Sequence, residues 1–169
     1  LNRSSVGAGV YCEWSMVDLW YNFIESNHAP EGAAVYCMAA RPMLFNNIIQ
    51  ANEHYYLPPA YFGSNTGAVA MHLCWDLDIY FNYFVSNIAD VGGALYLDQP
   101  YRGSIANNLF LGNHAYIRQL SSGGEGGGIW LLVAAAPEET LQIVGNTFSG
   151  NTASSVYAGE QGGAMAVLP

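Results

Sequence analysis

Hydrophobic and polar positions along this chain obey one frame, apolar-x-x-Asn-x-apolar-x-x-Asn, which occurs five times. It reads Leu19/Asn22/Ile24/Asn27, Leu44/Asn47/Ile49/Asn52, Ile79/Asn82/Phe84/Asn87, Ile105/Asn108/Phe110/Asn113 and Ile143/Asn146/Phe148/Asn151. A second stretch alternates with it and has a glycine one or two residues ahead of it each time: 9–12, 34–37, 68–71, 94–97, 128–131 and 164–167. Its period-two alternation predicts strands, with Val10, Val35, Val69, Leu95, Ile129 and Met165 facing inward. Two residues later Cys12, Cys37, Met71, Leu97, Leu131 and Val167 do the same. No copy has room for helical periodicity. Repetition at this scale sets the architecture before any local detail does.

From Val10 the repeat advances by 25, 34, 26, 34 and 36 residues, the length of one solenoid coil. The variation is localised. Between the first inward apolar residue and the first frame asparagine the distances are 12, 12, 13, 13 and 17 residues; from the second asparagine to the next coil they are 8, 17, 8, 16 and 14. Insertions are therefore expected at one corner, at 53–66, 114–127 and 152–163. The fold expected is all-β, a single-stranded parallel β-helix of about five coils forming one domain over residues 1–169.

Gly-Gly-Ala-Leu at 92–95 and Gly-Gly-Ala-Met at 162–165 alternate with Phe84-x-x-Asn87, Phe110-x-x-Asn113 and Phe148-x-x-Asn151. These motifs resemble the Gly-Gly-Ala-Ile and Phe-x-x-Asn repeats of the chlamydial polymorphic outer membrane proteins. The resemblance covers nearly the whole chain. It implies a right-handed parallel β-helix, secreted and displayed at the cell surface, where such passengers act in adhesion. The first two coils depart from the motif, with Ile24 and Ile49 in place of phenylalanine, and the chain holds no autotransporter barrel.

Asparagine suits a coil corner because it tolerates left-handed backbone and its amide can bond the identical amide one coil away. The ten frame asparagines are therefore expected to form polar ladders. None heads an N-glycosylation sequon; Asn2 does. Ile24, Ile49, Phe84, Phe110 and Phe148 form an inward column. Trp20, Phe45 and Tyr80 form an outward column, as do Phe23, Ile48, Tyr83 and Leu109, and Tyr11, Tyr36, Tyr96 and Trp130 form a third outward aromatic series. Outward apolar columns need cover, and three sources are open: other copies of the chain, the long loops, or a glycan partner for which the rings are a platform.

Chemistry in the usual sense is sparse. Cys12 and Cys37 share an inward position on adjacent coils, making them a candidate disulfide or a pair of stacked thiols. His28, His54, His72 and His114 are expected as solvent-exposed turn residues, with no shared metal. Asp76 and Asp78, with Asp98 one coil later, form the best carboxylate cluster for calcium or glycoside chemistry, with Arg102 the nearest basic residue.

Charge changes the picture of partners. Only 10% of residues are charged, there is no lysine, and four arginines face 13 carboxylates for a net charge of −9. That argues against nucleic acid and anionic lipid. No apolar run reaches the roughly 20 residues of a membrane-spanning helix. The chain begins at Leu1 without a signal-peptide pattern, as a processed product or fragment would.

The expectation is an extracellular or cell-surface structural protein without cofactor or metal, whose copies stack end to end into a fibre. Host or matrix glycans are a further candidate partner. The alternatives are a fragment of an autotransporter-like adhesin passenger, and a β-helix that binds or cleaves polysaccharide.

Overall fold

The structure is a computed structural model that describes residues 2–54, 66–117, 124–133, 140–155 and 162–168. Its strands are short and every paired strand is parallel. They stack into four sheets, one strand per coil. The first sheet holds Val10–Glu13, Val35–Met38, Val69–His72, Leu95–Asp98, Ile129–Leu132 and Met165–Leu168. The second holds Met16–Trp20, Arg41–Phe45, Leu77–Tyr80, Gly103–Ala106 and Leu141–Val144. The third holds Phe23–Glu25, Ile48–Gln50, Tyr83–Val85, Leu109–Leu111 and Thr147–Ser149, and the fourth Ile88–Ala89, His114–Ile117 and Thr152–Ser155. Among the described residues there is no helix. This is the all-β parallel solenoid that the repeat predicts.

Register follows the sequence frame. Val10, Val35, Val69, Leu95, Ile129 and Met165 are successive partners, as are Ile24, Ile49, Phe84, Phe110 and Phe148. From Val10 to Ile129 and from Ile24 to Phe148 both columns meet in one continuous core with Leu44, Ile79 and Ile105, whereas Met165 and Val167, expected to face inward on the last strand, are exposed because no further coil covers them. Phe84, Phe110 and Phe148 stack with centroids 4.8 Å apart and nearly parallel planes, which is the strand spacing itself.

The asparagines close the coils. In one ladder Asn22, Asn47, Asn82 and Asn108 each give the Oδ1 of the next, ending at Asn146, both a backbone and a side-chain N–H, at 2.8–3.1 Å. Asn27, Asn52, Asn87 and Asn113 repeat this in the other, which ends at Asn151. The remaining amide proton goes back one coil to a carbonyl, as from Asn87 to Ile49 O and from Asn113 to Phe84 O. Asn2 adds a rung below Asn27. Buried amides are thereby satisfied on both faces, which an apolar residue could not do.

The reason for asparagine needs correcting, however. The left-handed residue is the one before each frame asparagine: Tyr21, Asn46, Phe81 and Asn107 in one column, Ser26, Ala51 and Ser86 in another. The frame asparagine is chosen for its inward-turned amide, not for its backbone.

The loops also start later than expected. His114–Ile117 and Thr152–Ser155 are strands of the fourth sheet, and Glu53 and Thr66 pair through single bridges with Ile88 and Val91. Of the expected insertions, residues 55–65, 118–123 and 156–161 lie outside the described residues.

Candidate functional site

Three outward surfaces carry the aromatic and charged groups. The first lies on the first sheet. Tyr36, Tyr96 and Trp130 point out of the coil as expected, yet are only 5%, 7% and 8% exposed. They form a second apolar cluster with Ala70 and Ala166, packed against by Val6, Val91 and Leu132. The cover is local. Ahead of each strand the chain runs across this face through the bridged residues Val6, Glu31, Thr66, Val91 and Glu125, then turns at a glycine corner. Gly92 sits at φ +61 in that corner, where a Cβ would lie 2.6 Å from Leu95 O. A Trp130 Nε1–H donates to Glu125 Oε2 at 2.8 Å. Burial and nearby Glu31 push the Tyr36 hydroxyl up to about 12.

Ala70 would leave a gap in this aromatic column. His72, from the neighbouring column, fills it, its ring 5.4 Å from Tyr36 and 5.3 Å from Tyr96. Its Nδ1 meets Asp98 Oδ2 at 3.2 Å. Tyr11 extends the stack over Tyr36 but remains half exposed, and donates to Glu13 at 2.7 Å.

The second surface follows the corner between the second and third sheets. Trp20, Tyr21, Phe23 and Tyr83 are 54%, 72%, 57% and 51% exposed, with Ile48 and Phe81 beside them. Phe45 and Tyr80 are half buried; Phe45 lies edge-on to Tyr21 and Phe81 at 6.1 and 5.6 Å. Tyr21 and Phe81 were not singled out by the outward alternation, because each occupies the left-handed corner position.

The third surface is the corner entering the second sheet. Here the carboxylate cluster expected of Asp76, Asp78 and Asp98 is not assembled. Asp98 is on the first sheet with His72, Asp78 accepts from the Tyr80 hydroxyl, and Asp76 is held between Arg102 of the next coil and Arg41 of the previous one, the latter at 3.5 Å. The hydrogen bond from Arg102 keeps the Asp76 carboxyl below the usual carboxylate range.

Other candidate groups are structural. Cys12 and Cys37 are in register, yet both are free thiols, as is Cys74. In-register neighbours about 4.8 Å apart hold their Cβ atoms wider than the ~3.8 Å a disulfide favours. Burial pushes the Cys37 thiol up and that of Cys74 to about 11.

The expectation of exposed histidines fails at His54 and His72. His54 replaces alanine in the inward column of Ala29, Ala89 and Ala115, is 2% exposed, and points Nε2 to Asp90 Oδ1 at 3.0 Å. His28 and His114 are half buried, and His114 contacts Thr152 and Ser154 at 2.6 and 2.9 Å. Among the described residues no three His, Cys, Asp or Glu side chains gather for a metal, and no helix is long and apolar enough to cross a membrane.

Fold and surfaces together define a parallel β-helix with an apolar, ladder-closed interior and aromatic groups on its outer faces and corners. No protein-family model, curated protein or solved structure matches the chain.

Proposed function

We propose that the chain is a structural β-helix of the extracellular surface, whose coils are continued by stacking onto further copies. One observation carries this reading. The core columns and asparagine ladders run without interruption into the outermost coils, where Val10, Leu19, Ile143 and Phe148 stay half exposed while their equivalents between them are fully buried. A further coil in register would bury these side chains and extend both ladders through Asn146 and Asn151, adding the same 4.8 Å step each time.

The strip of Trp20, Tyr21, Phe23 and Tyr83 supports lateral contact between such stacks, since isolated proteins rarely expose apolar patches beyond a few hundred Å². The low charge content and the resemblance of the Gly-Gly-Ala and Phe-x-x-Asn motifs to surface-displayed repeats favour the extracellular setting. A longer adhesin passenger is the competing reading, in which further coils of one polypeptide would cover the same faces.

Purified chain should assemble into fibres or large oligomers with an axial repeat of about 24 Å, five coil heights, or a multiple of it. Negative-stain microscopy and light scattering read this directly. A stable monomer at micromolar concentration would overturn stacking between copies and leave the passenger reading.

A further inference from the structure

The third surface holds a feature that the repeat does not require. In the second coil the corner from Ala40 to Met43 spans three residue steps; from Cys74 to Asp78 and from Pro100 to Ser104 it spans four, although Met43, Asp78 and Ser104 are register partners. The amides of Arg41, Trp75 and Tyr101 hold equivalent places, bonding Ser15, Ala40 and Cys74 carbonyls at 2.9–3.1 Å. Each later coil therefore carries one extra residue, a bulge of the kind that re-aims side chains.

Backbone conformation marks the same place. Among the described residues, the left-handed non-glycine positions fall into repeating columns, one of them Trp14, Ala39, Leu73 and Gln99; Asp76, at φ +49, belongs to none. In the next coil Gly103, the register partner of Leu77, has φ +148, and a Cβ there would run into Leu77 O. Two successive coils are thus bent at the same corner, one at a non-glycine residue, which is the kind of strain found at binding sites.

The bend builds a cleft of about 240 Å³ lined by Trp75, Asp76, Tyr101 and Arg102. Trp75 and Tyr101 are each about two-fifths exposed. Between them, Asp76 is clamped by Arg41 and Arg102, which fixes a carboxylate and two guanidiniums in place.

We propose that this cleft binds one ring of a polysaccharide chain. Aromatic side chains offer flat apolar faces and a polar tip to the C–H face of a sugar. A hydroxyl-rich ring both donates and accepts, so it needs a held carboxylate beside held guanidiniums; an ionised carboxylate has about four acceptor sites, and each arginine is paired to a different oxygen of Asp76. A simple anion would meet Asp76 at the centre, and an apolar ligand would strip water from this ion-paired trio and offer it no hydrogen bond in return. The volume is below the roughly 300 Å³ at which whole-ligand pockets begin, consistent with one unit of a longer chain that passes over the corner.

Full-length chain is titrated calorimetrically with cellohexaose, chitohexaose and hexagalacturonate. Binding of at least one is expected, weakened about tenfold or more by Trp75→Leu or Tyr101→Leu, each of which keeps apolar bulk but removes the flat ring. Trp20→Ala, on the other exposed strip, should leave the affinity unchanged, and far-UV circular dichroism checks that each variant retains its fold. Arg102→Gln, which alters the clamp and not the rings, gives an independent loss. The proposal is overturned if none of the three sugars binds at millimolar concentration, if the Trp75, Tyr101 and Arg102 variants bind as the parent does, or if Trp20→Ala removes binding. None of these outcomes depends on stacking between copies.

Discussion

The aromatic column of the first sheet and the aromatic strip at the second-to-third-sheet corner begin from the same pattern, an outward column of aromatic and aliphatic side chains repeated from coil to coil, and end in opposite states. Tyr36, Tyr96 and Trp130 are buried, whereas Trp20, Tyr21, Phe23 and Tyr83 are more than half exposed. The strands beneath them are alike in length and pairing. The difference lies in what precedes each strand. Ahead of the first sheet the chain lays Val6, Glu31, Thr66, Val91 and Glu125 across the outer face and bends at glycine; between the second and third sheets a single left-handed residue makes the turn, and among the described residues no bridged segment lies over the strip. Burial of an outward column is therefore decided by the corner, not by the strand.

Removing one ring from each surface tests this most strongly. Trp130→Ala should destabilise the chain by about 3–5 kcal/mol, because it empties a packed site and strands the Glu125 carboxylate that the indole serves. Trp20→Ala should fall within about 0.5 kcal/mol of the parent, as surface changes usually do. Chemical denaturation of both variants gives the comparison; equal losses would mean that the strip is covered as well.

This also separates what the sequence made legible from what it did not. Asn87 and Phe110 announce their roles because the same residue type returns at the same place in coil after coil, so the inward columns and the ladders could be read from spacing alone. The cover over Tyr96 could not, since valine, glutamate and threonine share a column and pair only through single bridges. His54 was hidden for a related reason: it stands alone among alanines, and its burial depends on Asp90 being in reach. The bulge at Asp76 was visible as a spacing of 13 where the first two coils have 12, but only the structure joins it to Arg41 and Arg102.

A smaller effect is expected from the corner itself. Gly92→Ala forces a Cβ onto left-handed backbone, at about 1–2 kcal/mol, and against Leu95 O at 2.6 Å. The loss should appear with greater quenching of aromatic fluorescence by acrylamide, because the same corner carries Val91 over the aromatic cluster. A loss of stability without greater quenching would show that the corner is strained but is not what holds the cover in place.

The smallest effect isolates the contact that ties cover to column. Glu125→Gln keeps an oxygen that can accept from Trp130 Nε1 but removes the charge, so the hydrogen bond persists in its weaker neutral form. The expected cost is below about 1 kcal/mol, roughly the difference between a charge-assisted and a neutral bond. Glu125→Leu should cost more, because the indole N–H then has no acceptor in a buried setting while the packing volume stays similar. If the two substitutions were equal, Glu125 would act through its bulk alone, and the cover would be held by Val6 and Val91 with no polar lock.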